Sequence, residues 1–287
     1  MRRILLTGAT GYLGSHLARR FLQEGCSICC VVLSFEKLGY LTDDKEKFLL
    51  LKTSDPFLRE QIHQFAPEVM VHTACAYERG DNTIQMVFDA NLSFPFHMLQ
   101  FCLEAGTKRW INTNTVLESD VNSYALSKRQ FVDWGRYYAR KGEIEFLDLQ
   151  LEHFYGPNAP EYHFLSWVIQ CLQKNEPLPL TLGTQHRDFV YIRDLEKIFV
   201  KALELPFSGY EEIPIGTGIA PEIREVVAYL KEITGSKSEL QFGAVPMREN
   251  EPESKENYSK MRKYGLSCPT GWMDGLKMAL CEWRNSK

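Results

Sequence analysis

Tyr124-Ala125-Leu126-Ser127-Lys128 places a phenol and an ammonium four residues apart. On a helix that spacing puts both side chains on one face. A lysine beside a phenol favours the phenolate and lowers the tyrosine pKa, so the pair is set to exchange a proton near neutral pH. Upstream, Thr113 closes the strand-like run Trp110-Ile111-Asn112-Thr113, where its hydroxyl can hold a substrate oxygen beside Tyr124. Thr115 competes for that role. Near the N-terminus, Thr7-Gly8-Ala9-Thr10-Gly11-Tyr12-Leu13-Gly14 spaces three glycines between an apolar run and a helical period. Such a turn lets backbone approach a pyrophosphate and offers it the free N–H groups of a helix N-terminus. Each signal alone is weak; their order along one chain points to dinucleotide binding and hydride transfer. Thr113, Tyr124 and Lys128 are then the catalytic candidates. Thr7, Gly8, Thr10, Gly11, Tyr12, Leu13 and Gly14 are the cofactor-binding ones.

The second apolar run ends Val31-Val32-Leu33-Ser34, with Glu36 and Lys37 close behind. An acid at the end of that strand would accept bonds from the ribose of NAD. Ser34 stands about where the acid belongs, and a hydroxyl with a nearby cation suits a 2′-phosphate better. The expectation is therefore NADP(H), with NAD(H) as the alternative that Glu36 keeps open.

These groups need a scaffold. Short β-rich runs at Ile4–Leu6, Ile28–Leu33, Phe48–Leu51, Val69–Val71, Arg109–Thr113 and Phe146–Leu151 alternate with helical periods in the first half. Leu92, Phe96, Leu99 and Leu103 form one predicted helix face. The alternation predicts an α/β fold, a Rossmann-type doubly wound parallel sheet. After Tyr155-Gly156-Pro157 the rhythm breaks, and a smaller C-terminal substrate-binding lobe is expected. The sheet domain is drawn as 1–152 with 187–205, and the lobe as 153–186 with 206–287.

With 287 residues, 44% hydrophobic, and a net charge of −4, the chain can bury a large core and carries no basic excess. Nucleic-acid and membrane-surface partners are not expected. No apolar run reaches the roughly 18–20 residues needed to span a bilayer. Ile4-Leu5-Leu6 is too short for a signal-peptide core, so a cytoplasmic location is expected. The eight cysteines, among them the close pair Cys26-Ser27-Ile28-Cys29 in and beside an apolar strand-like run, read as reduced, mostly buried thiols, with no metal site.

The glycine turn, Val71-His72-Thr73-Ala74, Asn91, Tyr124-xxx-Lys128, Tyr155-Gly156-Pro157 and Arg187-Asp188-Phe189-Val190-Tyr191-Ile192-x-Asp194 together resemble the extended short-chain dehydrogenase/reductase family. This is its nucleotide-sugar epimerase/dehydratase/reductase group. The resemblance implies that the catalytic Ser/Thr stands three residues before a valine, as Thr113 does before Val116. It implies Asp55 at the adenine and Ala74 beside the cofactor. It also implies a nucleoside-diphosphate sugar as substrate, with Tyr77, Asn91 and Thr113 facing it, and Arg187, Arg248 and His153 at the phosphates. A homodimer through the helices at 91–104 and 123–140 is expected on the same ground. Dehydratases of the group carry Thr-Asp-Glu; here Thr113-Asn114-Thr115 lacks both acids, which argues against water loss. Short loops and the Leu151–Pro157 and Gln185–Phe189 segments look like the CDP-abequose/CDP-paratose synthase branch of C4 ketoreductases. A C4 epimerase with tightly bound NAD is the rival reading.

Overall fold

The computed structural model describes residues 1–247, 251–254 and 258–285. In chain order the elements are β1 (Arg3–Thr7), α1 (Tyr12–Gln23), β2 (Ser27–Val32), β3 (Leu49–Lys52), α2 (Leu58–Phe65), β4 (Val69–His72), α3 (Ile84–Phe88), α4 (Phe94–Glu104), β5 (Arg109–Thr115), α5 (Ser123–Arg140) and β6 (Glu145–Leu151). There follow β7 (His153–Tyr155), α6 (Phe164–Lys174), β8 (Leu178–Leu180), β9 (Phe189–Tyr191), α7 (Ile192–Ala202), β10 (Tyr210–Ile215), α8 (Ile223–Thr234), β11 (Leu240–Phe242), α9 (Ser259–Lys263) and α10 (Trp272–Asn285).

The main sheet runs β10-β6-β5-β4-β1-β2-β3. The pairs β1–β2, β1–β4, β2–β3 and β4–β5 are parallel. The chain starts in the middle and winds outward in both directions, the doubly wound pattern that places ligands at the C-terminal strand ends. Strands covered on both faces must be apolar throughout rather than alternating. Ile4, Leu5 and Leu6 of β1 and Ile28 through Val32 of β2 are accordingly all buried. Leu33 is exposed, so β2 stops one residue short of the expected end.

The packing that fixes α5 against β5 and β6 is aromatic. Trp110 on β5, Phe131 on α5 and Phe146 on β6 are buried and in mutual contact, with ring centroids 5.5 to 6.2 Å apart. Gly135 lets α5 lie close on β6, because a Cβ there would stand 2.2 Å from the Phe146 ring. Asn122 caps α5 by accepting the Ala125 N–H at 2.8 Å, a bond worth about 1 kcal/mol.

The predicted face of α4 is rotated in the structure. Pro95, Met98, Leu99 and Cys102 are buried, whereas Phe96 is only partly covered and meets Trp134 at 4.8 Å. The cause is a π-helical turn at Asp89–Ser93 leading into α4. Its extra residue per turn shifts the phase of everything downstream.

The chain divides into two compact units, Met1–Gln150 with Glu196–Ile213, and Leu151–Leu195 with Pro214–Lys287. Two boundaries differ from the expected ones. Residues 187–195 belong to the second unit, because β9 pairs with β7 in a separate small parallel sheet. Residues 206–213 belong to the first, because β10 adds the seventh strand to the main sheet. The second unit also holds the pair β8–β11 and the helices α6, α8 and α10. Among the described residues no helix is long and apolar enough to cross a membrane.

Candidate active site

The glycine turn has the geometry the sequence implied. Gly8 has φ +74°, and a Cβ there would meet Ala74 N and Thr73 Oγ1 at 2.5 Å. A Cβ on Gly14 would stand 2.1 Å from Gly8 O. Gly11 is different: only Gly8 O at 3.3 Å limits it, and it is exposed. It is also the N-cap of α1, with no side chain to cap the helix and no acid in the first turn. The first N–H groups of a helix have no partner inside it. An open, uncapped helix start behind a glycine cradle fits a bound pyrophosphate. These residues therefore fit the dinucleotide that the pattern implies. Thr7 contributes backbone only, being fully buried with its hydroxyl 2.7 Å from His72 Nδ1. Thr10 directs its carbonyl to the Tyr40 N–H at 3.2 Å.

At the end of β2, the Ser34 hydroxyl donates to the Glu36 carboxylate, and the Glu36 N–H returns a bond to Ser34 Oγ at 3.1 Å. That hydroxyl, and then the charge of Lys52, hold the Glu36 carboxyl below its ordinary range. Asp55 caps the entry to α2, accepting Phe57 N–H at 2.9 Å and Gln61 Nε2 at 3.1 Å. Its side chain thus already serves the local turn.

Thr113, Tyr124 and Lys128 lie on β5 and the first turns of α5, in the same unit as the glycine turn. Thr113 is buried and donates to His72 O at 2.9 Å, so its hydroxyl is oriented from the neighbouring strand. Lys128 is buried. Burial lowers its pKa, while Cys75 and Asp148 pull it back up. Tyr124 is half-buried and stacks on Tyr77 with centroids 4.3 Å apart. Its phenol departs from the expected lowering. Burial, then Tyr77 and Cys75, push it well above its ordinary range. Desolvation prevails over the lowering expected from the lysine.

Asn91 is fully buried. Its amide donates to Ala76 O at 2.9 Å and Ser127 Oγ at 3.0 Å, and accepts Ala76 N–H at 2.7 Å. It ties the loop after β4 to α5. Tyr77 in that loop is 41% exposed and stacks on Tyr124.

His153 and Arg187 lie in the second unit. His153 is exposed, 3.7 Å from buried Glu152. Arg187 is buried, bonded to His186 O at 2.8 Å and paired with the Glu251 carboxylate and Pro252 O. Arg248 lies outside the described residues.

The sequence reading passed over Asp148. It sits in the middle of β6, fully buried, and accepts Asn112 Nδ2 at 2.7 Å and Asn114 Nδ2 at 2.9 Å. Burial pushes its carboxyl up to about 6 against the pull of those two amides. The signal was an acid inside the run Phe146-Leu147-Asp148-Leu149, where a two-sided buried strand tolerates charge only with partners.

The geometry agrees with what similar proteins are. The family model described as the NAD dependent epimerase/dehydratase family matches residues 4–216. CDP-abequose synthase of Salmonella muenchen is 30% identical over 97% of each chain. The enzyme of that name from Salmonella typhimurium is 27% identical over 86% of this chain and 87% of its own. UDP-glucose 4-epimerase of Thermotoga maritima superposes with a TM-score of 0.85 at 19% identity, covering 99% of both chains. With a matched region that runs from the first strand through the glycine turn and the Tyr-Lys pair to the last strand of the main sheet, the chain belongs to the NAD dependent epimerase/dehydratase family.

Proposed function

We propose that this protein reduces the C4 keto group of a nucleotide-linked 4-keto-dideoxyhexose, in the manner of a CDP-abequose synthase, for surface-polysaccharide sugar synthesis. The observation that carries this reading is the placement of Thr113, Tyr124 and Lys128 on β5 and α5 of one unit, with amide and hydroxyl side chains at Asn114 and Thr115 where water loss would need acids. Similarity to CDP-abequose synthases over nearly the whole chain supports it. A bound nicotinamide supplies the hydride. Tyr124 donates to the carbonyl oxygen and gives it its proton as the carbonyl becomes an alcohol, and Thr113 reaches the same oxygen by turning its hydroxyl away from His72 O. Lys128 orients the nicotinamide ribose and sets the field around the phenol. His153, Arg187 and Arg248 are proposed for the phosphates, Tyr77 for the sugar, and Asp55 and Ala74 for the adenosine side of the cofactor. Arg187 exchanges Glu251 for substrate on binding. A cytoplasmic homodimer completes the reading.

NADP(H) is the proposed cofactor, on the hydroxyl of Ser34 and the cation of Lys37. The Glu36 carboxylate on Ser34 favours NAD(H), as does the family's description, and with it an epimerase. A 2′-phosphate would have to displace that carboxylate. Glu36→Gln is therefore expected to raise the ratio of kcat/KM for NADPH over NADH by about tenfold. An unchanged ratio would show that Glu36 does not read the ribose.

The test of the main reading is NADPH oxidation with a panel of 4-keto nucleotide sugars. Oxidation by the wild type, lost in Tyr124→Phe with cofactor binding retained, is the expected result. No oxidation with any sugar, together with NAD carried through purification, would establish the epimerase reading instead.

A further inference from the structure

We propose that Asp148 is a positioning residue for the reaction: its buried carboxylate, clamped by Asn112 and Asn114, fixes the end of β5 that carries Thr113 and supplies the counter-charge to Lys128. The inference rests on the catalytic roles proposed above for Thr113 and Lys128.

The clamp is built from both sides of Thr113. Asn112 and Asn114 flank it, so by strand alternation they share the opposite face of β5. Each gives one amide N–H to a different oxygen of Asp148 on β6. Asn114 is fixed at its other end too, accepting the Thr115 N–H at 2.9 Å. The residue after Thr113 is therefore locked by side chain and backbone together, while Thr113 itself is held from the other neighbouring strand through His72 O. Breaking this arrangement frees the strand end just where a hydroxyl must stay placed for hydride chemistry.

Charge ties the same carboxylate to α5. Asp148 raises the pKa of Lys128, and Lys128 lowers that of Asp148. Three elements face the carboxylate: Asn112 and Asn114 from β5, Lys128 from α5, and Glu212 with Tyr210 from β10. Glu212 opposes ionisation of Asp148, but is itself paired with Arg129 at 3.1 Å and Arg136 at 3.6 Å. The ionised form accepts both amides at full strength. Protonation makes one oxygen a donor and a weaker acceptor, so the bond from the amide facing it loosens. Burial raises the carboxyl to about 6, so this loosening is expected as the pH falls below that.

Carboxyl NMR of protein labelled at the aspartate side-chain carbon tests this without turnover. One signal, missing in Asp148→Asn, is expected to titrate near 6. It should move to higher pH in Asn114→Ala, which removes a bond to the ionised form, and in Lys128→Met, which removes the counter-charge. Kinetics supply the second arm. The wild-type kcat should fall on the acid side with the same midpoint, and Asp148→Asn should lose that limb. At neutral pH its kcat should fall by about tenfold to a hundredfold with KM for the cofactor little changed. Asn114→Ala keeps both charges and guards against an Asp148 variant that fails to fold. A carboxyl signal indifferent to Lys128→Met and Asn114→Ala overturns the proposal whatever the wild type reduces. So does an Asp148→Asn enzyme with full kcat and the acid limb intact. A wild type that oxidises no NADPH while the signal moves as expected instead defeats the function assigned to the site.

Discussion

At the scale of single residues, burial decides more than sequence proximity. Tyr124 and Lys128 share a helix face, yet desolvation pushes their pKa values in opposite directions, the phenol up and the ammonium down. Each is driven toward its neutral form. His72 shows the same physics with a consequence for stability. It is fully buried among Trp110, Phe131 and Phe94, with Nδ1 on Thr7, and burial lowers its pKa well below the ordinary 6.5. The unfolded chain takes up a proton at this position as the pH falls through 6.5; the folded protein resists it. The contribution is thus intact above 6.5 and lost progressively below. His72→Gln should flatten the loss of urea midpoint between pH 7 and pH 5 relative to wild type, and parallel profiles for the two would refute it. Thr113, Tyr124 and Lys128 were legible because their types and spacing are local. Asp148 was visible only as an oddity in an apolar strand. Its partners, Asn112 and Asn114, depend on how β5 and β6 align, which no local pattern encodes.

At the scale of elements, the site depends on how closely α5 approaches the sheet. The Tyr-Lys helix is held by the Asn122 cap at its start and by the Gly135 contact further along. Gly135→Ala would drive a methyl group into the Phe146 ring, itself wedged between Trp110 and Phe131. Overpacking of this kind costs about 1–3 kcal/mol. The variant should melt several degrees lower and lose kcat, since the same helix carries Tyr124. Asn122→Ala should cost about 1 kcal/mol. A Gly135→Ala protein as stable as wild type by denaturant titration would show that α5 can lift without penalty. The apolar strands β1, β2 and β4 could be read directly, because two-sided burial writes itself as an unbroken hydrophobic run. The α4 face could not. Its phase is set by the π turn at Asp89–Ser93, and periodicity assumes a regular helix.

At the scale of the molecule, the first unit leaves apolar surface that its own core does not need. Ile84, Met86 and Phe88 on α3 and Leu126, Trp134 and Tyr137 on α5 are between 43% and 65% exposed. Phe96 on α4 packs against Trp134, so the patch runs across neighbouring helices. A monomer rarely presents so large a contiguous apolar face, whereas a symmetric dimer buries it against its own copy. Asn91, between α3 and α4, braces the loop whose Tyr77 stacks on Tyr124 of α5, so a second copy seated there would stiffen the frame of the proposed site. Trp134→Glu places a charge in the middle of the patch while leaving the buried Trp110–Phe131–Phe146 cluster untouched. Light scattering after size exclusion should give twice the chain mass for wild type and the chain mass alone for the variant, with unchanged far-ultraviolet dichroism. If dimerisation braces the site, the separated variant should also lose activity on dilution-independent assay, whereas wild type should lose it only at concentrations low enough to dissociate. A wild type that runs as a monomer at every concentration, or a Trp134→Glu protein that still runs as a dimer, removes this face as the interface.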